Sequence, residues 1–235
     1  MAPSSGNEAT TPSSPPLTLG QPVSRGDQVR DAIQAAILDA RLPQGTALVE
    51  RELSAMLGVS KTPIREALKQ LQSSGLVVAT AYQGIRVRFL DADIVRDVTE
   101  ARVAVEPEAV RLAITRRGAA EHPQAQQALA GAARLVDDGD TAGLGLKNRE
   151  FHRALYTECG NDLLIDFLDK LQALSTFIAT AGWRTEATYS SEYTEHQELL
   201  GHYQRGEAEA ARDLLREHIA TSATALLQRL EEEQR

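Results

Sequence analysis

Four side chains in the second half of this 235-residue chain have the types and spacing to share a metal ion. Asn148 and His152 stand four apart in NREFH, so on a helix both point from one face; His196 lies in EHQELL and His218 in REHIA. Imidazoles suit Zn, Ni, Fe or Mn, and an oxygen donor at Asn148 would complete a site with positions open for water or a small anion. Taken singly, a histidine is more often an ordinary surface or core residue than a ligand. His122 and His202 are read that way, because neither falls at a matching position, and the single cysteine, Cys159, is read as a small core residue. A second set of donors lies in the first half. Lys61, Thr62 and Arg65 are polar residues opening an amphipathic segment, suited to phosphate oxygens and guanine edges.

The elements that must position these groups are legible as periodicities. LVERELSAMLGVSKTPIREALKQLQSSG (48–75) reads as two short amphipathic helices about a Gly58-Val59-Ser60 turn, with Leu53, Met56 and Leu57 on the apolar face of the first and Ile64, Leu68 and Leu71 on that of the second. Gly58 sits where a left-handed residue ends a helix, and Ser60 where an N-cap starts one. Residues 76–80 are β-prone, Tyr82-Gln83-Gly84 is a turn, and 85–89 alternate apolar and basic side chains, so a hairpin follows. Helix-turn-helix plus hairpin is the winged-helix arrangement: the second helix enters the major groove and the wing lies beside it. Upstream, Val29, Ile33, Ala36 and Ile37 form the stripe of a supporting helix.

From Asp91 onward the pattern is helical, in segments 91–117, 124–136, 144–157, 162–180, 189–204 and 207–230, with Pro107 a kink in the first. The expected fold class is mainly α: an N-terminal winged helix-turn-helix and a C-terminal antiparallel bundle of six to seven helices. The domains expected are a disordered Pro/Ser/Thr-rich tail (1–22), a DNA-binding domain (23–90) and an all-helical domain (91–232).

The net charge of −8 by itself argues against nucleic acid, but its distribution reverses that. Residues 21–90 hold nine Lys and Arg against six Asp and Glu, whereas 91–235 hold sixteen against twenty-six, so the positive charge travels with the helix-turn-helix. Abundant alanine and leucine with only 4% aromatic residues favour helix packing. One cysteine excludes an intramolecular disulfide and fits a reducing cytoplasm; no apolar run approaches the roughly 20 residues of a membrane span, and the N-terminus lacks the pattern of a signal peptide.

The span 25–89, through RLPQGTALVERELSAMLGVSKTPIREALKQLQSSGL and the wing glycine, resembles the DNA-binding domain of the GntR superfamily of bacterial transcription regulators. The order NREFH, EH and a final histidine resembles the FCD ligand-binding domain of its FadR branch, over roughly 91–230. The resemblance implies operator contacts from Arg51, Ser60, Lys61, Thr62, Arg65 and Gly84, with Lys61 standing where arginine is commoner and Val49 where a capping Ser or Thr is usual. It implies metal ligands at Asn148, His152, His196 and His218, with asparagine in place of the usual aspartate offering a neutral carbonyl oxygen. The metal, Zn with Ni, Mn or Fe as alternatives, would anchor a small carboxylate effector, which Arg102 and Arg184 would also face. The implied protein is a cytoplasmic homodimeric regulator of a palindromic operator, a repressor of a catabolic or transport operon, and not an enzyme. Two alternatives are a metal-free regulator sensing another ligand, such as an acyl-CoA, and a helical metalloenzyme.

Overall fold

The computed structural model describes residues 24–80, 82 and 84–233; the expected tail over 1–22 lies outside them. Helix α1 (Arg25–Leu38) starts where the Ser24 hydroxyl accepts the Asp27 N–H, and it buries Val29, Ile33 and Ile37. Helix α2 (Glu50–Leu57) has Val49 at its N-cap and no side-chain cap; it ends at Gly58, whose φ of +65° is a left-handed conformation that glycine adopts without strain. Helix α3 (Lys61–Ser73) follows Ser60, which is extended but bonds no backbone N–H through its hydroxyl, and buries Ile64, Ala67, Leu68 and Leu71 against α1. Met56 departs from expectation: it is 70% exposed. Helix α2 packs chiefly on α3, so its inward strip is no wider than Leu53 and Leu57.

The hairpin is β1 (Val77–Thr80) against β2 (Gly84–Val87), antiparallel, with Val77 opposite Val87 and Thr80 opposite Gly84. The strands are shorter than the alternation suggested, and Phe89 is exposed, its ring lying over Gly45. The basic wing positions also turn inward. Arg86 donates to the Gly45 carbonyl at 2.8 Å and Arg88 to the Gly75 carbonyl, so both tie the wing to its own domain.

Seven helices follow among the described residues: α4 (Ala92–Arg117), α5 (Pro123–Asp138), α6 (Thr141–Thr157), α7 (Asp162–Thr185), α8 (Tyr189–Arg205), α9 (Ala208–Ser222) and α10 (Thr224–Glu233). The last expected segment divides at Ala223 into α9 and α10. Asp91 caps α4, and Asn161 caps α7 by accepting from Leu163 and Leu164. Helix α4 lies against α9, α7 and α6, α5 against α6 and α8, and α8 against α9, around a core that includes Val110, Phe151, Leu155, Tyr203 and Ile219. A separate apolar cluster joins the two halves: Ile37, Leu71, Leu76 and Val87 are continuous with Leu174, Phe177 and Ala181 of α7 and Leu226 of α10. Gly75, at φ +77°, comes so close to α7 that a Cβ there would lie 3.0 Å from Leu174.

Candidate metal and effector site, and the DNA-reading surface

Helices α6, α8 and α9 each contribute one buried histidine, His152, His196 and His218, to a single cluster. One ligand nitrogen from each lies within 4.8 Å of the other two, and the Nε2 atoms of His196 and His218 are 3.1 Å apart. Two carboxylates orient the outer rings. His152 Nδ1 is 2.7 Å from Glu106 of α4, and His218 Nδ1 is 2.6 Å from Glu195 of α8. If each Nδ1–H donates to its carboxylate, both Nε2 lone pairs face the cluster, the arrangement in which imidazoles ligate metals. His152 Nε2 is buried without a hydrogen-bond partner, and so is the Oδ1 of Asn148, one turn earlier on α6. Orphaned acceptors of this kind cost free energy unless something electropositive meets them, and a cation would satisfy both. The residues therefore fit a divalent metal with a nitrogen-rich donor set.

Electrostatics agree with that chemistry. Burial pushes His152 down to about 4, against the opposing pull of Glu106. Burial and the neighbouring imidazoles hold His196 well below its ordinary value, so both rings are neutral near pH 7, as ligands must be. Burial alone would raise Glu106, but Arg102 and His152 hold it below the usual carboxylate range. Arg102, one turn before Glu106 on α4, donates through Nε at 2.8 Å, and its Nη2 lies 3.5 Å from His152 Nδ1. A fixed cation thus stands beside the histidines.

Asn148 and His196 also line a cavity of about 30 Å³, room for one or two waters, that runs outward between α5, α6, α7 and α8. Arg184 does not reach it. Its Nη1 donates to the Leu38 carbonyl at the end of α1, 2.6 Å away, while the preceding Trp183 lines the cavity. Successive residues of a helix differ by about 100° in direction, so these neighbours on α7 leave from different sides, one toward the cavity and the other toward α1. Glu106, Glu195 and Trp183 were not singled out from the sequence. Glu106 could be suspected from its place four after Arg102, and Glu195 from its adjacency to His196, but neither pairing follows without the helix packing. His122 is a buried structural residue outside the cluster: it caps α5, accepting the Ala125 N–H at Nδ1 while its Nε2 lies 3.1 Å from the Ala154 carbonyl.

On the other half, Arg51, Ser60, Lys61, Thr62, Arg65 and Gly84 are all exposed. Ser60, Lys61, Thr62 and Arg65 lie at or within the first two turns of α3, Arg51 lies in the first turn of α2, and Gly84, at φ +76°, opens the second wing strand. Arg65 is held by Glu50, its Nε 2.8 and 2.9 Å from the two carboxylate oxygens. That pair is a solvent-exposed ion pair, cheap to exchange for a base edge or phosphate.

Residues 25–87 match the model of the "Bacterial regulatory proteins, gntR family", and residues 97–221, more than half the chain, match that of the "FCD domain". The chain is a GntR-family regulator with an FCD domain. It is similar to a protein from Paenarthrobacter nicotinovorans named a probable D-xylose utilization operon transcriptional repressor, at 28% identity covering 82% of this chain and 84% of that one. It is also similar to the HTH-type transcriptional repressor GlaR of Escherichia coli K12, at 29% identity covering 70% and 78%. The solved structure of E. coli McbR/YncC has the same fold, with a TM-score of 0.73 at 23% identity over 88% of this chain and 98% of that one. This GntR protein is a bacterial transcription regulator that binds DNA, and not an enzyme. No helix among the described residues is long and apolar enough to cross a membrane.

Proposed function

We propose that this regulator is a cytoplasmic homodimer that represses a catabolic or transport operon and releases, or tightens on, its operator when a small carboxylate enters the bundle. Residues 23–90 read the DNA: Arg65 and Lys61 meet base edges and phosphates, Arg51, Ser60 and Thr62 fix the register, and Gly84 lets the wing approach closely. Two recognition helices about 34–36 Å apart would read a palindrome. Residues 91–232 supply dimerisation and sensing. Asn148, His152, His196 and His218 would hold a divalent metal, with Zn the best match to the nitrogen-rich set. When bound, the metal supplies positive charge and open coordination positions for a carboxylate. Arg102 adds a second positive contact beside it. The repressor reading draws support from the relatives' names.

The observation that carries this reading is the histidine cluster with its two oriented rings and the orphaned Asn148 oxygen. For the ligand to switch occupancy it must bind the two conformations unequally, since equal affinity shifts nothing. The test is elemental analysis of gently purified protein, followed by operator binding with and without carboxylates for the wild type and His196→Ala. A stoichiometric metal and a ligand response lost in His196→Ala, with operator binding retained, are expected. Protein devoid of metal that still responds would sink the reading.

A further inference from the structure

The cavity beside Asn148 and His196 differs in character from its metal-facing end. Its apolar walls are Leu129 and Val136 of α5, Leu144 and Phe151 of α6, and Trp183 of α7. Lys147, Tyr189, Glu192 and Tyr193 are the polar residues beside them. The indole Nε1–H is already committed to Glu192 Oε1 at 2.9 Å, and the same oxygen accepts the Thr188 hydroxyl at 2.6 Å. Glu192 is itself buried, so its carboxylate is a fixed acceptor that a second anionic group on a ligand would face. The cation at the rim, Lys147, is drawn away to Glu150 at 2.5 Å.

We propose that the effector is a monocarboxylate with a compact apolar or aromatic body, not a polyhydroxylated sugar acid and not a dicarboxylate. This rests on the reading above, in which the carboxylate head meets the metal and Arg102. The head satisfies the polar end of the site, and the body lies against the aliphatic and aromatic walls. A ligand hydroxyl placed against Leu129, Val136, Leu144, Phe151 or Trp183 would lose its water without gaining a partner, on the order of tenfold in affinity apiece; only one beside Glu192 would find an acceptor. A second carboxylate would add repulsion from Glu192. The free volume admits little more than water, so the body enters as Tyr189 and Tyr193, partly exposed at the mouth and one turn apart on α8, swing outward. Those rings then close on an apolar surface, which favours a branched chain or a single ring.

Full-length protein loaded with Co(II) tests this by absorption titration with acetate, 4-methylpentanoate, 3-phenylpropionate, D-gluconate and succinate. Acetate is expected to perturb the Co(II) bands, the two apolar acids to do so at concentrations at least about tenfold lower, and gluconate and succinate to gain nothing over acetate. Val136→Asp should erase the advantage of the apolar acids and leave the acetate response. Ala132→Phe, which fills the cavity with an apolar group, should do the same if the aspartate variant fails to fold. Gluconate or succinate binding more tightly than 4-methylpentanoate would overturn the ligand class while leaving the metal-anchored head intact. An apolar preference that survives Val136→Asp or Ala132→Phe would overturn the placement of the body. Absence of a Co(II) response to every carboxylate would overturn this inference together with the reading beneath it.

Discussion

Glu106→Gln removes one charge from the centre of the FCD domain and almost no volume. Glu106 is 1% exposed; its Oε2 accepts from Arg102 at 2.8 Å and its Oε1 lies 2.7 Å from His152 Nδ1. A glutamine has one oxygen and one NH₂ to offer, so one of the two partners must now meet an N–H donor. If the amide nitrogen faces His152, Nδ1 turns acceptor and the proton moves to Nε2, where it blocks the ligand lone pair. If the oxygen faces His152, the amide nitrogen opposes Arg102. Losing the carboxylate partner of a ligating histidine lowers metal affinity about 10- to 100-fold, or about 1.4–2.8 kcal/mol. The fold loses about 3 kcal/mol, the low end for breaking a buried pair, because Arg102 is 13% exposed and keeps some contact with water. Chelator competition gives the first quantity and urea unfolding of the metal-free protein the second. Glu195→Gln is the internal control: Glu195 is 41% exposed, so water can replace it on His218, and a loss below about tenfold is expected. If Glu106→Gln lowers stability but binds metal as the wild type does, Glu106 is only a partner for Arg102 and does not orient His152 for a metal.

Asn148→Asp puts a charge where a neutral carbonyl stands and should tighten metal binding on the order of tenfold, ~1.4 kcal/mol, read by the same competition; unchanged affinity would place Asn148 outside the ligand set. Arg65→Ala should weaken operator binding by about 1–3 kcal/mol in an electrophoretic or anisotropy assay, whereas Glu50→Ala, which frees Arg65, should leave it equal or stronger. Arg184→Ala should leave metal and effector affinity unaltered and reduce the effector's influence on operator affinity, because the side chain joins the helix bearing Trp183 to the end of α1; a diminished effector affinity with normal coupling would refute that placement. Burial lowers the His122 pKa below its ordinary 6.5, so the unfolded chain binds that proton first, and the stability it confers is present above about pH 6.5 and is lost as pH falls. Protonation also spoils the Nδ1 acceptor that caps α5, a loss of about 1 kcal/mol, so between pH 7.5 and 5.5 the urea midpoint of the wild type should fall more than that of His122→Asn. Equal slopes for the two would remove His122 from the acid response.

The DNA-reading half was legible because its signals are local. Gly58 at the end of α2, the apolar spacing through Ile64, Leu68 and Leu71, and the turn at Gly84 each act within a few residues, and their backbone conformations follow from residue type. Met56 is exposed for a related reason: period alone marks a face, and how much of that face is covered depends on how many neighbours the helix acquires. Asn148 and His152 could be paired from the sequence because one helix holds both. His196 and His218 could be added only as later histidines in a matching order.

Sequence by itself therefore determined the fold class, the segregation of positive charge and the residue types available for metal and DNA. Tertiary structure alone decided which carboxylate orients which histidine, that Trp183 faces the cavity while Arg184 grips α1, and that the apolar cluster of the DNA-binding half runs on into α7 and α10. The reason is the reach of the forces involved. Helix periodicity and capping act over three or four residues, whereas Glu106 and His152, 46 positions apart, or Arg184 and Leu38, 146 apart, meet only through the phase and packing of whole helices.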